Sequence, residues 1–533
     1  VAVPARGLPR RELALACLLT LALLLPFADR AFNIDDPLFL WTAQQVIRDP
    51  VRFYGFEVNW ASRPEPMTAQ MKNPPLWSYG LALAGALGGF SEPVMHGVAL
   101  LPALAVVVAT LVLACRLGGA PWTALLALLG MPAFLVSATT VMCDVTLTAL
   151  FVGSVALWIA CLQDERPGLG WAAAALAAAA VLTKYFAIAL VPLLALYGLL
   201  RRARPLAFLP LLLPLACLAA YEVATRELFG VGLVSDASNY EAGARAAAAS
   251  GPLRQPLAAL IFTGGGLASL AFVAVPLWGR RVGGALGAVL ALTAALTQLP
   301  AIFKAHIVWP LALQMGLWMV AGAGVLLLAA SEYRRRPDAE AGLLLAWVAG
   351  TFLFAAHFNW TANARAVLPM APAVAILIGR RLARPPLALL GAISLALLVA
   401  AADARLAWTA REAARQVLEQ QRGRRVWFAG HWGFQYYMEQ GGALAADPPR
   451  FRAGDVVVLP SNNVTPIRLT SGSHRPLGVI ELQPFPGLAT MCIPLGAGFY
   501  SDFVGPLPFT FGPVPPETYQ MAELLPVPGP GRP

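Results

Sequence analysis

Phe32-Asn33-Ile34-Asp35-Asp36-Pro37 places two adjacent carboxylates directly behind an apolar run, Leu13 to Phe27, of a kind that enters a bilayer. Arg6, Arg10 and Arg11 precede that run and no A-x-A cleavage site follows it. The run therefore reads as a retained first span with its start in the cytoplasm. The acidic pair then opens a loop on the opposite side, about residues 30–92, which carries the element Lys72-Asn73-Pro74-Pro75. Asp36 is a candidate for a catalytic or metal-binding role, against an equally simple account as a helix N-cap ahead of Pro37, with Phe39, Ala43, Val46 and Ile47 forming one apolar face. Asp35 has no such account. A second carboxylate beside a membrane-embedded helix meets both desolvation and a like charge, conditions that mark reactive acids.

The rest of the chain continues the membrane pattern. Of 533 residues, 58% are hydrophobic and 12% charged, against about a quarter charged in ordinary soluble domains, which excludes a soluble fold. Lys plus Arg outnumber Asp plus Glu by 38 to 28, a net charge of +10. The surplus sits in short clusters between apolar runs: Arg201, Arg202 and Arg204; Arg280 and Arg281; Arg334 to Arg336; Arg380, Arg381 and Arg384. These set topology and carry no nucleic-acid signal. Apolar pieces begin near Pro74, Pro93, Pro121, Asp144, Gly168 and Tyr185, whereas the charge clusters require an odd number of crossings there. The piece from Pro74 to Phe90, short and rich in proline and glycine, is expected to be interfacial or re-entrant. A tight outer turn is expected at Lys184, because one span from Gly168 to Leu200 would bury that lysine near mid-membrane. Further spans near 206–222, 257–278, 284–303, 307–330, 341–357, 365–379 and 386–402 give about thirteen crossings. The six cysteines fall almost all in apolar runs and form neither a disulfide framework nor a zinc spacing.

This threading collects Asp144, Lys184, Lys304, Arg365 and all five histidines (His96, His306, His357, His431, His474) on the outer face. Most have a structural alternative: Asp144 as a cap on a span starting at Val145, the cations as snorkelling anchors, His306 and His357 as interface residues. Trp60, Trp309, Trp360 and the run His431 to Phe434 with Tyr436 and Tyr437 could stack on sugar rings, or serve as an aromatic belt and core packing. The tail changes composition at Asp403. Segments 424–430 and 455–459 read as buried strands with a helix over 434–440 between them, and beyond Gly505 the proline-rich chain reads as loop. The expected architecture is thus a polytopic α-helical membrane protein: residues 1–402 as the transmembrane domain and 403–533 as a C-terminal periplasmic α/β domain.

In order along the chain, Asp35-Asp36, Lys72 with Pro74-Pro75, Met142-Cys143-Asp144, Thr183-Lys184 and Arg365-Ala366-Val367-Leu368-Pro369 resemble the GT-C class of membrane glycosyltransferases, in particular the protein O-mannosyltransferases and the lipid A aminoarabinose transferases. The resemblance implies a sugar donor linked through phosphate to a polyprenyl chain, and transfer on the outer face to a lipid, glycan or protein acceptor. Here the pair is Asp-Asp where those relatives usually have Asp-Glu, Asn73 separates Lys72 from the prolines, and Ala366 follows Arg365, so the acceptor class stays open.

The chemistry agrees with the residue types. A phosphate-linked sugar already has a good leaving group, so what is needed is a base for the acceptor hydroxyl and cations for the phosphate. Asp35 is the expected base; Lys72, Lys184 and Arg365 are the expected phosphate clamp. Asp144 could orient the acceptor, pair with Lys184, or share a divalent cation such as Mg2+ or Mn2+ with Asp35 and Asp36. A transporter or flippase of lipid-linked sugars is the alternative, and would carry its polar groups at mid-membrane in broken spans. An inactive scaffold acting through its tail is a third reading. The short outer loops and cysteine-poor tail suit a bacterial inner membrane.

Overall fold

The computed structural model describes residues 8–60, 63–248, 253–298, 307–464, 467–470 and 472–526. Lys304 and His306 lie outside the described residues. Among those described, seven helices are long and apolar enough to cross a membrane: Glu92–Arg116, Asp144–Gln163, Pro205–Phe229, Ala274–Gln298, Trp309–Arg335, Ala339–Phe358 and Ala388–Gln420. Three shorter apolar helices accompany them: Leu76–Gly88, Pro167–Val181 and Tyr185–Leu200.

Local chemistry sets their ends. Glu92–Arg116 starts behind an extended Ser91, has Glu92 and Pro93 in its first turn and Arg116 in its last, so its charges oppose the helix dipole at both ends. Its 25 residues span about 37 Å at 1.5 Å per residue. Ala339–Leu353 begins where the Asp338 side chain accepts from the Ala341 amide. The chain breaks at Thr183-Lys184, where Lys184 is extended between Pro167–Val181 and the helical turn starting at Tyr185. One continuous span from 168 to 200 is thereby excluded.

Helix ends gather in two groups. At one end Arg380, buried, donates to Glu332 (3.0 Å), Asp338 (3.2 Å) and the Leu117 carbonyl (3.0 Å), while Gln163 and Arg201 reach Glu340 at 3.4 and 3.5 Å. Arg380, expected as a topological charge, is also a structural anchor. The opposite end collects the starts of the helices at Glu92, Asp144, Tyr185 and Ala364. Between the ends, Arg254–Gly266 crosses Trp309–Arg335 closely enough that a Cβ on Gly264 would overlap the Trp318 carbonyl, and one on Gly322 the Leu260 carbonyl; small residues are what permit such an approach.

The long helix Ala388–Gln420 runs 33 residues without proline, so position 402 falls inside it. It leads to a five-stranded sheet in the order Leu444–Ala445, Val426–Phe428, Val456–Pro460, Glu517–Leu524, His474–Leu482. The first three are parallel and the last two antiparallel to their neighbours. The expectation of loop beyond Gly505 is corrected here: Glu517–Leu524 is an interior strand. Glu517, Tyr519 and Met521 are buried on one face and, after a register shift between Met521 and Ala522, so are Ala522 and Leu524, an alternation that the flanking prolines and this irregularity obscure in the sequence.

Candidate active site

The two carboxylates of the acidic pair part company. Ile34, just before them, has φ +52°, a left-handed conformation that costs a β-branched residue about 1–3 kcal/mol. Asp36 turns inward and is fully buried. It accepts from the Asn33 amide (3.0 Å), the Val141 amide (3.0 Å) and Arg30 (3.4 Å). The N-cap account of Asp36 is overturned: the helix Asp36–Arg48 starts at Asp36 itself and neither carboxylate caps it, because the stronger partners lie upstream and across the bundle. Burial raises the Asp36 carboxyl to about 6 against the opposing pull of Arg30. Phe39, Ala43 and Val46 are buried as expected, whereas Ile47 is exposed.

Asp35 stays accessible, its side chain 31% exposed, and pairs with Arg365 Nη1 at 3.0 Å. Arg365 stands in the first turn of Ala364–Val367, started by the Asn363 side chain accepting from the Ala366 amide at 2.7 Å. The same guanidinium lies 3.7 Å from Asp144, and Asp144 accepts from Lys184 at 2.6 Å. Asp144 therefore does not cap its helix; of the roles open to it, pairing with Lys184 is the one the geometry takes. Lys72 pairs with Asp236 at 2.5 Å, donates to the Thr68 carbonyl and lies over the Tyr240 ring. Lys72, Lys184 and Arg365 line one cleft, together with Tyr185, Glu241 and Asn359.

Several residues here escaped sequence reasoning. Asp236, Tyr240 and Glu241 share the helix Leu233–Ala248, whose helical spacing was the available signal. Burial pushes the Glu241 carboxyl up, with Arg245 and Lys184 opposing. Arg30 and Asp403, both fully buried, form an ion pair of 2.7 Å; each is a charge at the edge of an apolar run. Of the stacking candidates, Trp60 is covered by His431 and Trp360 by Phe503, with ring centroids 5.0 and 5.5 Å apart, and Phe434 and Tyr436 are buried.

The carboxylates do not fit a shared metal. Asp36 points into the bundle, Asp144 is held by Lys184, and Asp35 faces Arg365; among the described residues no three His, Cys, Asp or Glu side chains converge as a ligand set.

No family model matches the chain, and no curated protein matches it in sequence. Solved structures do. The chain is similar to ArnT from Cupriavidus metallidurans bound to undecaprenyl phosphate, at 16% identity and TM-score 0.43, over 85% of this chain and 94% of that one. It is similar to the oligosaccharyltransferase AglB from Archaeoglobus fulgidus in complex with an inhibitory peptide and a dolichol-phosphate, at 12% identity and TM-score 0.48, over 83% of this chain and 64% of that one. A shorter match, 44% of this chain and 34% of the other at 15% identity and TM-score 0.33, is to the S. cerevisiae protein O-mannosyltransferase Pmt1-Pmt2 complex bound to the sugar donor. These neighbours are GT-C glycosyltransferases.

Proposed function

We propose that this chain transfers a sugar from a polyprenyl-phosphate-linked donor to an acceptor hydroxyl on the outer face of a membrane. The observation that carries the reading is the single cleft lined by Lys72, Lys184 and Arg365, whose guanidinium pairs with Asp35. Three cations in one cleft match a phosphate monoanion or dianion, with Arg able to grip two oxygens and each Lys acting as a point charge. Donor phosphate taking Arg365 releases Asp35. The freed carboxylate removes the acceptor proton, the acceptor oxygen bonds the anomeric carbon, and the bond from that carbon to the phosphate oxygen breaks, leaving polyprenyl phosphate. One in-line displacement inverts the anomeric centre. Asp144 holds Lys184 in place rather than touching the acceptor.

In this reading the chain crosses a bacterial inner membrane about thirteen times, with the arginine-rich end cytoplasmic and the cleft, the residues 30–92 and the C-terminal α/β domain periplasmic, the arrangement the positive-inside rule favours. The position of the charges also favours this reading over a transporter. Asp144 opens its helix, Lys184 stands between helices and Arg365 lies in a first turn, whereas transport sites sit at broken spans near mid-membrane.

The test is an assay of the purified protein with a panel of polyprenyl-phosphate sugars and membrane extract as acceptor source, reading released polyprenyl phosphate. Release with inverted product supports the proposal. Movement of intact lipid-linked sugar across proteoliposomes without release favours the transporter, and neither activity favours the scaffold.

A further inference from the structure

The C-terminal α/β unit grips both segments that carry the Asp35–Arg365 pair. On the acidic side, the Phe32 amide donates to Tyr437 Oη at 2.8 Å, and that hydroxyl donates to Glu92 at 2.9 Å. The Gly433 amide donates to the Asn33 side chain at 3.3 Å. Gly433 lies so close that a Cβ there would overlap the Phe32 carbonyl oxygen. Trp432, before Gly433, has φ +61°, and Ile34, after Asn33, has φ +52°, so each segment carries a sparsely populated conformation next to their contact. On the basic side, the Ala364 amide donates to the Phe499 carbonyl at 2.9 Å, and Asp502 accepts from the Ala362 amide and from Thr361. Tyr500 joins the two sides. Its ring lies under Arg365 at 5.4 Å, and its hydroxyl donates to Asp403, the partner of Arg30, which in turn reaches Asp36.

We infer that the C-terminal unit is a positioning device for the reaction: Gly433 and Tyr437 fix the segment before Asp35, Phe499, Tyr500 and Asp502 fix the segment before Arg365, and together they set the distance between base and phosphate-holding cation. This rests on the proposed roles of Asp35 and Arg365. A left-handed isoleucine persists only where its surroundings over-determine it; beside the Asp36 carboxylate, which accepts from the Asn33 amide, the residues just before Ile34 are held by Tyr437 and Gly433, about 400 positions downstream. Lys72 and Lys184 take their partners, Asp236 and Asp144, from other segments. Loosening the grip on its acidic side, at Gly433 and Tyr437, therefore disturbs the chemical step and spares donor binding. A shift of about 1 Å in a reacting group can cost on the order of a hundredfold in rate.

The test compares the full-length protein with Gly433→Ala, Tyr437→Phe and a control, Val457→Ala, which trims a side chain buried in the sheet away from the contact with Phe32 and Asn33. Two readouts are taken: steady-state transfer from a polyprenyl-phosphate sugar, and amide hydrogen exchange of the peptide covering residues 31–37. Gly433→Ala is expected to lower kcat about tenfold or more with the donor KM within about twofold, Tyr437→Phe to lower it less, and both to speed exchange at 31–37. Val457→Ala is expected to leave both readouts at wild-type values even if it lowers the melting temperature. Unchanged kcat and exchange in Gly433→Ala and Tyr437→Phe would overturn the inference, as would equal effects from Val457→Ala. Asp35→Asn separates this failure from that of the underlying reading: full activity in Asp35→Asn sinks the assignment of the base, while the exchange data still judge the grip.

Discussion

Lys72 is occupied by a carboxylate, Asp236, at 2.5 Å, in the same cleft that would receive the donor phosphate. Any anion arriving there has to displace it. Asp236→Asn is therefore expected to lower the KM for the polyprenyl-phosphate donor several-fold with little change in kcat, and Lys72→Met to raise it about tenfold, since a charge-assisted contact of this kind contributes about 1.5–3 kcal/mol. Steady-state kinetics at varied donor concentration checks both, and a raised KM in Asp236→Asn would contradict the competition. At this scale Asp35, Lys72, Lys184 and Arg365 were legible in sequence because a charge in so apolar a chain is costly and needs a reason. Their partners were not. Asp236 is 164 residues from Lys72, and Arg365 is 330 from Asp35. Nothing in local spacing encodes such pairings, and the fully buried Arg30–Asp403 pair was hidden for the same reason.

Among the elements, the close crossing of Arg254–Gly266 with Trp309–Arg335 depends on Gly264 and Gly322. Gly322→Val is expected to push the helices apart and destabilise the fold by about 1–3 kcal/mol, the usual penalty of overpacking, seen as a lower melting temperature in detergent. The interior strand Glu517–Leu524 makes a second prediction. Glu517 accepts from Asn462 at 2.8 Å, yet burial raises its carboxyl to about 7. The folded state thus binds a proton more readily than the unfolded chain, so this group's stabilisation is complete below about pH 4.5 and is lost as pH rises through 7. Relative to Glu517→Gln, the wild-type protein should lose about 3 kcal/mol between pH 4.5 and 8. Melting curves across that range check it; parallel curves would contradict it. The same strand was misread as loop, since Pro513, Pro515, Pro516 and Pro526 crowd its ends. The short helix Leu76–Gly88 and the break at Lys184 were legible, the first from proline and glycine placement and the second from the cost of a buried lysine.

For the whole molecule, the proposed orientation puts the arginine-rich helix ends inside and residues 30–92 outside. A cysteine introduced at Arg63, whose side chain is 75% exposed, should react with an impermeant maleimide added to the outside of intact cells, whereas one at Arg335 should react only after permeabilisation. The membrane character and the order of polar span ends were readable because hydropathy and charge are local properties. The attachment of the C-terminal unit to the acidic loop was not, because its contacts join residues far apart in the chain that share no pattern. The account as a whole is tested most directly by comparing Asp35→Asn with the wild-type protein for release of polyprenyl phosphate from a polyprenyl-phosphate sugar in the presence of acceptor. Loss of a general base predicts a fall in kcat of about a hundredfold or more with donor KM little changed. Release at the wild-type rate from a folded Asp35→Asn protein would contradict it.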